Sequence, residues 1–147
     1  MERVAQGTNG EVWFDQLTAG QEVRSPFVDQ PFLILILNVD RALERSRIDE
    51  ISASLVRERC RYAVCAGFEC EAWHDATDLE AIGPDPPRTA KEVQTTWLSD
   101  EPLAETVEFF LHLAYFDGSE GNYLVLLVGA DSQAKGELLA LVRALFA

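Results

Sequence analysis

Cations are scarce in this chain. Its 147 residues hold 12 Lys and Arg against 25 Asp and Glu, for a net charge of −13. Binding to nucleic acid rests on neutralising phosphates, and docking on anionic membranes rests on Lys and Arg. Neither kind of partner is expected here. Long apolar runs are also missing. The longest, Phe32 to Leu37, has strand length, far short of the ~18 residues that suggest a membrane span. Cysteine is rare: Cys60, Cys65 and Cys70 are an odd number for a disulfide framework. Their spacing matches no zinc pattern, so Cys60 and Cys65 are expected to be free buried thiols. The start, Met1-Glu2-Arg3-Val4, shows no basic region leading into an apolar stretch. No signal peptide is read, and a cytoplasmic location is expected. Three glycine motifs are lacking as well: G-x-G-x-x-G, the P-loop and the G-x-S-x-G nucleophile elbow. Gly67-Phe68-Glu69 comes nearest to a phosphate turn, but Glu69 and Glu71 would repel a phosphate. No cofactor and no metal is assigned.

What is present describes a packed domain. The chain is 48% hydrophobic and 25% charged, ordinary for a single globular unit. Gly7, Gly10, Gly20, Pro26 and Pro31 punctuate residues 1–31. That segment reads as an N-terminal arm packed on the body, adding at most an edge strand, and residues 32–147 read as one α/β domain. Phe32 to Val39 is apolar without alternation, which a strand needs when both its faces are covered. Ser46-Arg47-Ile48-Asp49 has the form of a capping box. Ile48, Ile51, Leu55 and Val56 then share one helical face, with the helix ending near Arg59 and Arg41 to Arg45 open to adding an initial turn. A second strand is expected at Tyr62–Ala66, a helix from Cys70 to about Ile82 stopped by Gly83–Pro87, and a third strand at Val93–Leu98. Ser99-Asp100-Glu101-Pro102 is a helix start, with that helix running to about Phe116. The fourth strand is Tyr123–Val128. Asp131 or Ser132 caps a last helix with one apolar stripe. Alternation of strand and helix predicts a three-layer α/β/α sandwich. Its sheet is expected to be mainly parallel, with about four strands in the order 2-1-3-4.

Ligands of such sheets bind beyond the carboxyl ends of the strands. The loops expected there carry Asp40, then Cys70, His74 and Asp75, then Trp97, Asp100 and Glu101, then Asp131. Two chemical readings follow. Asp40, Asp100 and Asp131, with His74 or Glu71, could hold a divalent cation. The same acids also sit where helices begin, and capping alone accounts for them there. Alternatively, Cys70 in a first helical turn could be a reactive thiol, with His74 four residues on and Asp78 orienting it. The flanking Glu69 and Glu71 oppose that reading.

The helix after the third strand is apolar over more than half its circumference. Leu103, Val107, Phe110, Leu111 and Ala114 form one stripe, and Phe109, Leu113 and Phe116 form a second. The second stripe either packs under the N-terminal arm, on Trp13 and Phe14, or forms an interface with a partner or a second copy. Glu105, Glu108 and His112 mark the narrow polar face. Charge is uneven: six arginines and four acids lie in residues 41–61, while residues 62–147 hold fifteen acids and four cations. Such a surface suits a partner with a basic face.

Two strings carry a resemblance. Cys70-Glu71-Ala72-Trp73-His74-Asp75 precedes Thr95-Thr96-Trp97-Leu98-Ser99-Asp100-Glu101-Pro102-Leu103. Over residues 30–147 the chain resembles a family of small bacterial proteins known as a domain of unknown function. The resemblance implies a bacterial cytosolic origin and an α/β fold, and it carries no activity. In similar sequences a histidine is expected where Leu98 stands, which weakens a metal or catalytic reading of that loop. The expectation is therefore a small acidic interaction or regulatory protein without catalysis, of adaptor or immunity type. The alternative is a metal- or thiol-dependent hydrolase or transferase, or a ligand-sensing domain, with its site at the strand ends.

Overall fold

The computed structural model describes residues 1–18, 20–82 and 93–146. The strands are β1 (Glu2–Gly7), β2 (Gly10–Leu17), β3 (Phe32–Asn38), β4 (Cys60–Gly67), β5 (Gln94–Leu98) and β6 (Asn122–Val128). The helices are α1 (Arg45–Arg57), α2 (Cys70–Ile82), α3 (Leu103–Glu108), continued by a π-helical segment Phe109–Leu113, and α4 (Ser132–Leu145). The strands form one mixed sheet in the order β1-β2-β6-β3-β4-β5. β1 and β2 are an antiparallel hairpin, and the other neighbours pair in parallel.

Two expectations are corrected here. The sheet has six strands rather than about four, because residues 2–17 supply a hairpin and not a single edge strand. β2 is internal, paired along Glu11–Leu17 with Asn122–Val128. The four expected strands run β6-β3-β4-β5 rather than β4-β3-β5-β6. Burial explains the order. β3 is buried at every position and β6 at its last five, so both need neighbours on each side. Threonine-rich β5 is only partly buried and takes an edge.

Side chains of β3 alternate between two cores. Phe32, Ile34 and Ile36 join Ile48, Ile51 and Leu55 of α1 and Trp73 and Ala76 of α2. Leu33, Leu35 and Leu37 join Val107 and Phe110, with Leu138, Leu139 and Val142 of α4. This is why the run lacks alternation: both faces bury apolar side chains.

Helix boundaries differ where caps were expected. α1 begins at Arg45 with Glu44 as N-cap and no side-chain cap, so Ser46 lies inside the helix. α3 has Pro102 as N-cap, also without a side-chain cap, and Asp100 adopts φ 60° in the preceding bend. The expected helix to Phe116 is shortened, with α-helical geometry giving way at Phe109 and the π segment ending at Leu113. α4 starts as expected, Asp131 Oδ1 accepting from Ala134 N at 3.0 Å. The Gly83–Pro87 stop lies outside the described residues.

Candidate functional site

Register places the carboxyl ends of the central strands level. Leu17 faces Val128, Val128 faces Asn38, and Asn38 faces Gly67. The chain moves from β3 outward to β4 and β5, then returns to β6 on the other side of β3. Loops leaving β3 and β6 therefore diverge to opposite faces, and a crevice opens between them. It has a volume of about 1020 Å³ and is lined by Leu17, Val39, Asp40, Arg41, Phe68 and Gly129, among others.

Asn38 shapes this crevice. It ends an apolar strand and is fully buried. Its Nδ2 donates to the Phe68 carbonyl at 3.0 Å, and its Oδ1 accepts from Asp40 N at 2.9 Å. Its own carbonyl accepts from Phe68 N at 2.9 Å. Asp40 Oδ1 in turn accepts from Ala42 N at 2.9 Å. One buried amide thus ties the loop after β3 to the loop after β4, on one side of the crevice.

Five of the seven candidate site residues are divided among three places, while Cys70 lies in the core and Asp100 in the bend before α3. Asp40 lies in the crevice. His74, Asp75 and Trp97 meet where α2 packs against β5. His74 Nδ1 is 3.1 Å from Asp75 Oδ1, and Nε2 is 3.5 Å from Asp78 Oδ2. Asp78 Oδ1 accepts from Thr95 Oγ1 at 2.7 Å, and the Trp97 ring lies edge-on to His74 with centroids 4.5 Å apart. Asp78 is thus the partner the imidazole required. Both ring nitrogens face carboxylates. Cys70 is buried, and burial pushes its thiol above the ordinary range, with the charges of Glu71 and Asp100 adding to it. That is the opposite of the depression a nucleophilic thiolate needs. Cys60 and Cys65 are buried free thiols; burial raises Cys60 to about 12 and raises Cys65 as well. Among the described residues, no group of three or more His, Cys, Asp or Glu is arranged to hold a metal ion.

Glu101 lies in the third place, a groove of about 330 Å³ lined by Leu98, Glu101, Glu105, Glu108, Phe109, His112 and Leu113. The π-helical segment supplies its apolar floor. Leu113 is 69% exposed, whereas Phe109 and Phe116 are half-buried against the cluster that contains Phe14. Trp13 packs on the opposite cluster. His112 Nε2 lies 2.9 Å from the Leu145 carbonyl. Among the described residues, no cation lies within ion-pair distance of Glu101, Glu105 or Glu108.

That lack of compensation has a titration signature. A hydrogen bond with Glu101, the Glu101 charge and then Glu108 hold the Glu105 carboxyl above its ordinary range. A carboxyl raised in the folded chain contributes stability that is fully present below its unfolded pKa. That contribution is lost as pH rises through the folded pKa. Glu105→Gln is therefore expected to melt slightly higher than the parent at neutral pH. The difference should vanish under acid conditions that protonate Glu105. Thermal melts across that pH range check the sign.

The family model described as a domain of unknown function, DUF7684, matches residues 12–145 of the chain. No curated protein matches it.

Proposed function

From the geometry of a chain that belongs to the DUF7684 family, we propose a non-catalytic interaction protein that binds a basic partner in the α3–β5 groove. The reading extends to a small bacterial cytosolic adaptor, regulator or immunity-type protein built as a three-layer α/β/α sandwich. Division of the buried residues into two clusters supports that layering. The observation that carries the function is the groove itself. Three glutamates without a cation surround an apolar floor of Leu98, Phe109 and Leu113. Three carboxylates held together repel one another, and a Lys- or Arg-bearing segment relieves that repulsion. Burial of Leu113 and Phe109 under the partner's apolar side chains supplies the affinity, and charge supplies orientation and encounter rate.

The test uses an amphipathic peptide of Lys and Leu and its Glu and Leu counterpart. The basic peptide is expected to bind, and the acidic one is not. Combined Glu101→Gln, Glu105→Gln and Glu108→Gln should weaken binding by about tenfold or more. Combined Glu71→Gln, Glu80→Gln and Glu137→Gln, equal in charge removed, should leave it nearly unchanged. Equal losses in the two sets would mean a general charge effect and overturn the reading. A dimer in light scattering that Leu113→Asp dissociates, with no peptide binding, would assign the groove to a second copy instead.

A further inference from the structure

The crevice at the carboxyl ends of β2, β3 and β6 plays no part in that reading. We propose that it binds a small organic anion, a carboxylate or phosphate carried on an apolar or planar body, with Arg41 as the partner of the anion.

Topology makes the space, and its charged lining is mixed: Asp40, Arg41, Glu44, Arg47 and Asp131. About 1020 Å³ is room for a nucleotide-sized molecule. Among its charged residues, most are already engaged. Asp40 and Asp131 each accept a backbone N–H, from Ala42 and Ala134. Arg47 donates to the Gln21 carbonyl and to Glu50. Arg41 is different. Among the described residues it has no hydrogen bond or ion pair, and its guanidinium sits over the Phe68 ring, 4.5 Å from the centroid. A guanidinium held on an aromatic face keeps its donor edge for a planar or tetrahedral anion.

Phe68 is itself held in place. It is 38% exposed, yet buried Asn38 bonds both its N–H and its carbonyl. An apolar strand that ends in a buried amide spends two side-chain hydrogen bonds on positioning the residues around Arg41. Preorganisation of this kind is what a binding site needs and a bare loop does not. Leu17, Val39 and Val128 offer apolar surface beside it for the body of the ligand. α1 begins at the same crevice with Glu44 as its N-cap, so a carboxylate already sits against the dipole there and the positive charge offered to a ligand is that of Arg41.

Amide NMR titrations with phenyl phosphate, benzoate, inorganic phosphate and benzamidine test this. Phenyl phosphate or benzoate is expected to shift the amides of Arg41, Phe68 and Gly129, and whichever binds tighter identifies the head group. Benzamidine, a cation of similar shape, should not shift them. Arg41→Gln should weaken binding by about tenfold or more without changing the melting temperature, since the side chain is exposed. No shift with either aromatic anion, equal shifts with benzamidine, or unchanged affinity in Arg41→Gln overturns the proposal. So does inorganic phosphate binding as tightly as phenyl phosphate, because the apolar walls then take no part. The groove variant lacking Glu101, Glu105 and Glu108 should bind phenyl phosphate like the parent, which keeps the two sites separable.

Discussion

Gly67→Ala is expected to lower stability by about 3 kcal/mol or more, read by urea denaturation. Gly67 closes β4 at φ +83°, and a Cβ there would lie 2.2 Å from the Asn38 carbonyl oxygen. That oxygen is backbone and already accepts from Phe68 N. It cannot swing aside as a side-chain end can. β4 would have to draw back from β3 where Asn38 and Gly67 are paired. Gly118→Ala is the control. It has a similar φ of +88° but nothing within 4 Å, so only backbone strain is added, about 1 kcal/mol. Equal losses for the two would show that the close approach to Asn38 contributes nothing. Because Asn38 positions Phe68 and Asp40, Gly67→Ala should also disturb the crevice, whereas Gly118→Ala should not.

Trp73→Ala is expected to cost about 3–5 kcal/mol, the range for emptying a buried aromatic site. Trp73 is fully buried between α2 and the sheet, in the cluster shared with α1. Trp73→Phe should cost clearly less. The indole Nε1 is buried without a hydrogen-bond partner among the described residues. An unsatisfied buried N–H carries a penalty of about 1–3 kcal/mol, and Phe removes it along with some packing. Calorimetry on the two variants separates these contributions. If Phe costs as much as Ala, the indole N–H carries no penalty here and volume alone matters.

These two sites also show how far the sequence could be read. Trp73 lies on a helix whose bounds, Cys70 and Ile82, are legible from the strand-closing Gly67 and the turn-forming residues after Ile82. Phe32–Leu37 announces a strand covered on both faces because every position is apolar. The stripe of α4 follows from spacing alone, as does a cap at Asp131 or Ser132, of which the structure selects Asp131. The N-terminal hairpin is hidden by its composition. Val12 and Phe14 face one core and Trp13 the other, but glutamate, aspartate and glutamine are interspersed among them. The capping box at Ser46 misleads because the chain enters α1 two residues earlier, with Glu44 as N-cap.

The candidate site residues were legible as individual residues and not as a group. Asp40 follows β3 and Trp97 is near the end of β5, whereas His74 and Asp75 lie inside α2 rather than in a strand-end loop, and Asp100 and Glu101 precede the N-cap Pro102. Glu105 and Glu108 are neighbours by helical spacing, and Leu98 ends the strand five residues before α3. Arg41 and Phe68 lie 27 positions apart and meet only because β3 pairs with β4.

By itself the sequence determined the local elements, the acidic surface and the central place of Phe32–Leu37. Those depend on periodicity, charge and caps within a few residues. Only the tertiary structure decided strand order, the hairpin partner of β6 and the residues that share a cavity. These rest on contacts between distant segments, such as Gln16 donating to the Gly129 carbonyl at 2.9 Å across 113 positions. Several strand orders bury similar apolar area, so composition does not choose among them. The packing of particular side chains between sheet and helices does.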